Sequence, residues 1–261
     1  MLRFLVLGLL IFCGLARPAA AEAMPAGLLA DQTLLVHRLT KSACLVLSGA
    51  APDVHMLDIE RSAAAMLQGF ADLEQIADVH SQSLLANARR DGETLAQAAS
   101  QIAAGDRHSV AVGLLLRNAP LVAARLSALP VAQRDETDRT GETAHNLRVR
   151  TQRLQRDLCL LRIGLAGTRA QVRLQRDLDR VPQLLNDLLS GNAARQIGPP
   201  PSVQVKVLYG KAAAKWKTLS GVVSDAALAR QLGLSDVQIG SVLVDGMLND
   251  LDRALALITD G

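Results

Sequence analysis

Residues 36–73 read VHRLTKSACLVLSGAAPDVHMLDIERSAAAMLQGFADL, and residues 151–188 read TQRLQRDLCLLRIGLAGTRAQVRLQRDLDRVPQLLNDL. Laid over one another without a gap, at an offset of 115, they share ten of 38 positions. Among these are Arg38/Arg153, Leu39/Leu154, Cys44/Cys159, Gly49/Gly164 and Asp72/Asp187. Two Ala- and Leu-rich helices share some apolar positions by chance. Paired Cys and Gly at one offset point instead to a duplicated unit.

Apolar residues in both stretches follow the period of a helix. Ile59, Ala63, Met66, Phe70 and Leu73 step by 4, 3, 4 and 3, and Leu174, Leu178, Val181, Leu185 and Leu188 step identically. Each set lays one stripe along a helix. Upstream, Leu39, Ala43, Val46 and Ala50 are matched by Leu154, Leu158, Leu161 and Leu165. Each stretch therefore predicts a helical hairpin turning just after Gly49 or Gly164, where glycine takes the left-handed C-cap conformation. Pro182 interrupts the second stripe and is expected to kink its helix. Further helices are expected over 83–98 and 110–129. After the break Gly198-Pro199-Pro200-Pro201, another follows the stripe Val205, Leu208, Ala212, Trp216, Leu219 and Val223. A last helix carries Val244, Met247, Leu251, Leu255 and Ile258 behind a capping box of Ser235 and Gln238. The fold class is all-α, two tandem four-helix-type units related by duplication, arranged as two bundles or one long bundle. The polar run 133–143 marks their boundary, giving units over 24–135 and 136–261.

Composition agrees with this reading. Hydrophobic residues make up 49% of the chain and aromatic ones only 2%, which disfavours a β-sandwich or barrel. Residues 1–23 read as a secretory signal peptide, with Arg3, an apolar run over 4–15, and Ala21-Glu22-Ala23 as the cleavage site. That run is well short of the ~20 residues that span a bilayer. A lipoprotein reading of Cys13 is set aside because Phe12 stands where a small residue is required. The expectation is a periplasmic chain beginning near Met24, without stable membrane insertion, in an oxidising compartment. A net charge of +3 is too small for the footprint of a nucleic-acid binder.

The second unit opens Leu147-Arg148-Val149-Arg150-Thr151-Gln152-Arg153-Leu154-Gln155-Arg156. This resembles the R-M-L-S-Q-R-M-A-K signature of the PilJ-type domain, the N-terminal sensor module of type IV pili methyl-accepting chemotaxis transducers, itself similar to the sensor of nitrate/nitrite histidine kinases. The first unit matches less, with Thr33 where the first Arg belongs and with Arg38 and Lys41 in place. Lys215-Trp216-Lys217-Thr218-Leu219 is similar to the W-x-x-L helix of that family. The resemblance implies a periplasmic four-helix bundle sensing a small ligand, in some relatives nitrate or nitrite held between the first helices of two subunits. With two units in one chain, the same interface would form internally. No transmembrane, HAMP, kinase or methyl-accepting segment is read here, so the implied partner is a membrane-bound sensor kinase or chemoreceptor.

Arg148, Arg150, Arg153 and Arg38 are the candidate ligand-binding residues, because guanidinium groups give a planar anion forked hydrogen bonds. Arg150 and Arg153 share a helix face, and Arg38 and Arg153 could converge on a pseudo-twofold axis. The alternative is a solvated basic stripe lying over Leu side chains. Cys44 and Cys159 form either a disulfide between the units or two buried thiols. Four of the five lysines, Lys206, Lys211, Lys215 and Lys217, surround Trp216 and form either a docking face or the wet side of a helix. His37, His55, His80, His108 and His145 show no i, i+4 pair and no haem or metal motif, so no cofactor or metal is expected. No nucleophile motif is present, and the expected role is non-enzymatic. Two functions follow. One is an exported sensor or binding protein for a small anion, and the other is a periplasmic adaptor acting through helix contacts.

Overall fold

A computed structural model describes residues 24–131 and 139–259; the segment read as a signal peptide and the first part of the polar boundary run lie outside them. The described chain is all-α, with eight helices: α1 (Ala26–Ser48), α2 (Pro52–Ile76), α3 (Val79–Ala103), α4 (Ser109–Ser127), α5 (Arg139–Arg162), α6 (Thr168–Ser190), α7 (Val203–Ala227) and α8 (Leu234–Thr259). A short 3-10 turn, Ala193–Arg195, follows α6. Among the described residues, extended pairing is limited to two single bridges, Met24 with Val131 and Asn192 with Ile197.

Local chemistry sets the helix ends. Gly49 (φ 78°) and Gly164 (φ 73°) both take the left-handed conformation. At both turns the next amide reaches back five residues, Ala50 N to Leu45 O and Leu165 N to Leu160 O, at 3.0 and 2.9 Å, which satisfies carbonyls orphaned at the helix end. Asp78 caps α3 by accepting from Ser81 N at 2.6 Å, so that helix starts earlier than its apolar stripe suggests. Ser202 caps α7 through Val205 N. The expected capping box of α8 is replaced. Ser235 lies inside the helix, and the Asp236 carboxylate accepts from Gly233 N at 2.7 Å. α5 begins within the boundary run, where Glu142 in its first turn suits the positive end of the helix dipole. α6 continues through Pro182 and α4 through Pro120.

The helices form two four-membered bundles side by side. α1 packs on α2, α3 and α4, α5 packs on α6, α7 and α8, and the bundles meet chiefly through α1 against α5. Each bundle has its own apolar core. Val36, Leu39, Ile59, Met66, Phe70 and Leu73 lie in the first, and Leu154, Leu158, Leu174, Val181, Leu185 and Trp216 in the second. A third cluster joins Cys44, Leu45 and Ala50 to Cys159, Leu160 and Val237 across the junction. The apolar stripes read from the sequence are inside, except that Leu161 and Leu178 are half-buried and Leu165, beyond the end of α5, is exposed. α4 is long and apolar enough by composition to cross a membrane. In the fold its Ala111, Leu115, Ala119, Val122 and Leu126 are buried in the first core.

Cys44 and Cys159 are bonded, with Cα atoms 6.1 Å apart and both side chains fully buried. The bond closes a loop of 115 residues, which restricts the unfolded chain by about 4–5 kcal/mol on the chain-entropy model. Replacing both cysteines by Ala should lower the urea midpoint accordingly, and an unchanged midpoint would show that the bond does not form in solution. Two glycines give a paired test of packing. A Cβ on Gly92 would lie 2.7 Å from Phe70 Cε2, a fully buried ring, whereas one on Gly113 meets nothing within 4 Å. Gly92→Ala should therefore destabilise by about 1–3 kcal/mol, and Gly113→Ala should stabilise by about 0.5–1 kcal/mol. Thermal unfolding of the two variants decides it.

Candidate functional site

Both helices of the junction carry buried polar residues where an apolar seam would be expected. On α1 these are His37, Thr40 and Lys41, and on α5 Thr151, Gln152, Gln155 and Arg156. Their spacing of three and four places them on one face of each helix. The contacts pair Asp31 with Arg148, His37 with Arg156, and Cys44 with Cys159. Residue numbers rise together on the two sides, so α1 and α5 run parallel.

Arg148 is a clamp. Its Nη1 donates to Asp31 of α1 at 2.6 Å, and its Nε lies 2.5 Å from Asp252 of α8. Burial raises the Asp252 carboxyl above its ordinary value despite Arg148 beside it. Arg38 turns the other way, to Asp58 of α2 at 3.4 Å, and is half exposed. Arg153 binds Asp177 of α6. The expected convergence of Arg38 and Arg153 does not occur, because each is drawn to a carboxylate on the second helix of its own bundle. Lys41 is fully buried and donates to Asp245 of α8 at 2.8 and 3.1 Å, crossing the junction.

Arg150 and Arg153, one turn apart, share the buried Asp177 at 3.0 Å. Arg156 places Nε and Nη2 on Asp157 Oδ1 at 3.0 and 2.7 Å, and Arg173 Nε donates to Asp157 Oδ2 at 2.7 Å. Asp157 and Asp177 are both buried. Four guanidinium groups thus meet two carboxylates, leaving an excess of positive charge beside the junction. Arg156 Nη1 also lies 3.1 Å from His37 Nδ1. Since arginine is donor-only, Nδ1 accepts and the ring is neutral. Burial, then Arg156, Arg153 and Arg173, push the His37 pKa well below 6.5.

Along α5 in this positive region several buried polar atoms have no hydrogen bond, Gln155 Oε1 among them. The Gln152 side chain is fully buried and neither its Oε1 nor its Nε2 is hydrogen-bonded; Arg153 Nε is in the same condition. Gln152 lies one turn from Arg156 on the same face of α5 and next in sequence to Arg153. A groove of about 500 Å³ opens onto the start of α1 and α5, lined by Leu29, Thr33, Glu142, Asn146, Arg150 and Arg153 among others. Thr33, the residue standing where the family resemblance expects arginine, therefore faces the same groove as Arg150 and Arg153.

The lysine cluster separates. Lys215 binds Asp250 at 2.5 Å and Trp216 is buried in the second core, while Lys206, Lys211 and Lys217 are exposed. Among the described residues no group of three or more His, Cys, Asp or Glu side chains could hold a metal ion. Comparison with protein-family models, with curated proteins and with solved structures returns no match.

The candidate arginines were legible from their motif, but His37, Gln152, Asp157, Arg173 and Asp177 were not. The available signal was that positions 37/152 and 41/156 carry polar residues at the same 115-residue offset as the two cysteines. His37 makes stability depend on pH with a definite sign. Its folded pKa is depressed, so as pH falls below 6.5 the unfolded chain takes up the proton first and stability is lost. His55, also lowered by burial and by Lys41, acts in the same sense. Asp252, with its raised pKa, acts oppositely and in the more acidic range above 3.8. Unfolding midpoints should fall from about pH 7.5 to about pH 5.5, and His37→Gln should remove part of that slope. A slope unaltered in His37→Gln would mean that the ring is not held neutral.

Proposed function

We propose that this chain is an exported, non-enzymatic binding protein that takes a small planar anion, nitrate or nitrite being the reference ligands, at the junction of α1 and α5. A membrane-bound receptor or kinase would read the occupied state. The observation that carries the reading is the unpartnered, fully buried Gln152 amide, next in sequence to Arg153 with its own unpartnered Nε, on a helix with an excess of guanidinium charge. A buried amide without hydrogen bonds costs about 1–3 kcal/mol, and a small oxyanion could accept from both groups. The groove onto Arg150 and Arg153 offers a route, and the PilJ-type signature lies on these same residues. Export is supported by the reading of residues 1–23 and by the Cys44–Cys159 bond, which suits an oxidising compartment.

Calorimetry with nitrate and nitrite, with acetate as a control, tests the proposal. Saturable binding is expected, together with a rise in unfolding temperature. Arg153→Lys should weaken binding about tenfold, since a point charge replaces a fork. Gln152→Leu should abolish binding while leaving the free protein as stable or more so, because it removes an unsatisfied amide. No heat and no thermal shift at about 10 mM ligand would end the proposal, as would unaltered affinity in both variants. A second reading, an adaptor acting through helix contacts, draws on Arg148 and Arg38 being taken up by carboxylates. Retention of an envelope partner regardless of added anion would favour it.

A further inference from the structure

A second groove, of about 520 Å³, lies on the outer face of the second bundle between the start of α7 and the end of α8. Val203 and Val207, one turn apart on α7, are 78% and 50% exposed, and Leu257 on α8 is 43% exposed. Leu208 and Ala256 lie between them in the lining. Exposed aliphatic residues scattered singly need no explanation, but three around one groove form a patch that has not found a partner.

The same groove is lined by Lys211 and Arg253 and, among the described residues, by no carboxylate. Neither cation makes an ion pair with a described residue, in contrast to Lys215 one turn further along α7, which is held by Asp250. The ends of the groove differ in character. Lining residues pair Val203 and Val207 with Leu257 towards one end, and Lys211 with Arg253 towards the other, because α7 and α8 pack together and run in opposite senses. From Val203 to Lys211 the helix rises about 12 Å, comparable with a medium-length acyl chain. An apolar trough with two cations at one end, neither ion-paired among the described residues, is complementary to a molecule with an aliphatic tail and a single anionic head.

We propose that this groove is a binding site for a single-chain anionic amphiphile of the fatty-acid type, its tail along Val203, Val207 and Leu257 and its carboxylate at Lys211 and Arg253. The site is separate from the α1–α5 junction and does not depend on the anion reading. Val207, Lys211 and Arg253 are on the surface, so they can be changed without disturbing either core.

Calorimetry on the protein with dodecanoate below its micelle-forming concentration tests this, with dodecyltrimethylammonium as the same tail carrying the opposite charge and acetate as the head alone. Dodecanoate should bind saturably and the other two should not. Lys211→Glu and Arg253→Glu should each weaken dodecanoate about tenfold, and Val207→Asp should do the same from the tail end, all three with unfolding midpoints unchanged. Gln152→Leu should bind dodecanoate like the parent, which separates this site from the junction. Equal binding of dodecyltrimethylammonium, or unchanged affinity in all three groove variants, would overturn the proposal. Binding to phosphatidylglycerol vesicles without binding of free dodecanoate would overturn it in favour of a membrane surface.

Discussion

Arg156 is buried between two bundles, and the way its charge is held governs the junction. A guanidinium removed from water is tolerated only when carboxylates and acceptors surround it. Here Asp157 takes two of its nitrogens and neutral His37 takes a third. Asp157 also binds Arg173 of α6. One buried carboxylate therefore ties α5 to α6, and through Arg156 to α1. Lys41 with Asp245 and Arg148 with Asp31 repeat the device on either side. Buried ion pairs contribute little net stability compared with apolar packing, but breaking one is strongly unfavourable. Their effect is to specify register. α1 and α5 can slide past one another only by uncovering charges, and the Cys44–Cys159 bond fixes the same register covalently.

That division of labour explains why the junction is polar while each bundle core is not. The two cores supply the bulk of the apolar burial, leaving α1 and α5 free to devote one face to specificity. It also explains the excess charge. α5 carries Arg148, Arg150, Arg153 and Arg156 within three turns, but its helix packing presents only Asp157 and Asp177 to the last three. A buried amide at Gln152 with no protein partner sits beside this imbalance. Polar networks in low dielectric are strongly stabilised when complete and unfavourable when partly filled. An anion-sized ligand would complete this one, which is why the junction rather than the outer surface is the proposed seat of binding.

The residues singled out by motif in the sequence are not the ones left without partners in the fold. The signature points to Arg148, yet Arg148 is taken up by Asp31 and Asp252 and acts as a clamp. Thr33 stands at its counterpart in the first stretch, and Arg38, the counterpart of Arg153, faces α2. Further along α5, Arg150 and Arg153 share Asp177, and the groups left without a hydrogen bond are the Gln152 amide and Arg153 Nε. The two grooves also differ in chemistry. The one at the junction has Arg150, Arg153 and Glu142 in its lining, while the one on α7 and α8 is aliphatic with two cations at its end. A protein so poor in aromatic rings offers ligands charge and aliphatic surface rather than stacking.

The sequence by itself determined the helices. The 3.6-residue stripes at 59–73 and 174–188, the turns at Gly49 and Gly164, and the scarcity of aromatic residues are local or compositional facts, and each depends on neighbours within a few residues. Helix ends were less legible where a side chain outside the stripe supplied the cap, as Asp78 and Asp236 do. The tertiary structure alone decided whether Cys44 meets Cys159, which carboxylate each arginine finds, and that His37 and Gln152 are buried. Those outcomes depend on the crossing and register of helices more than a hundred residues apart in the chain. A charged side chain several bonds long can reach partners on either of two neighbouring helices, so its choice is made only when the helices are in place.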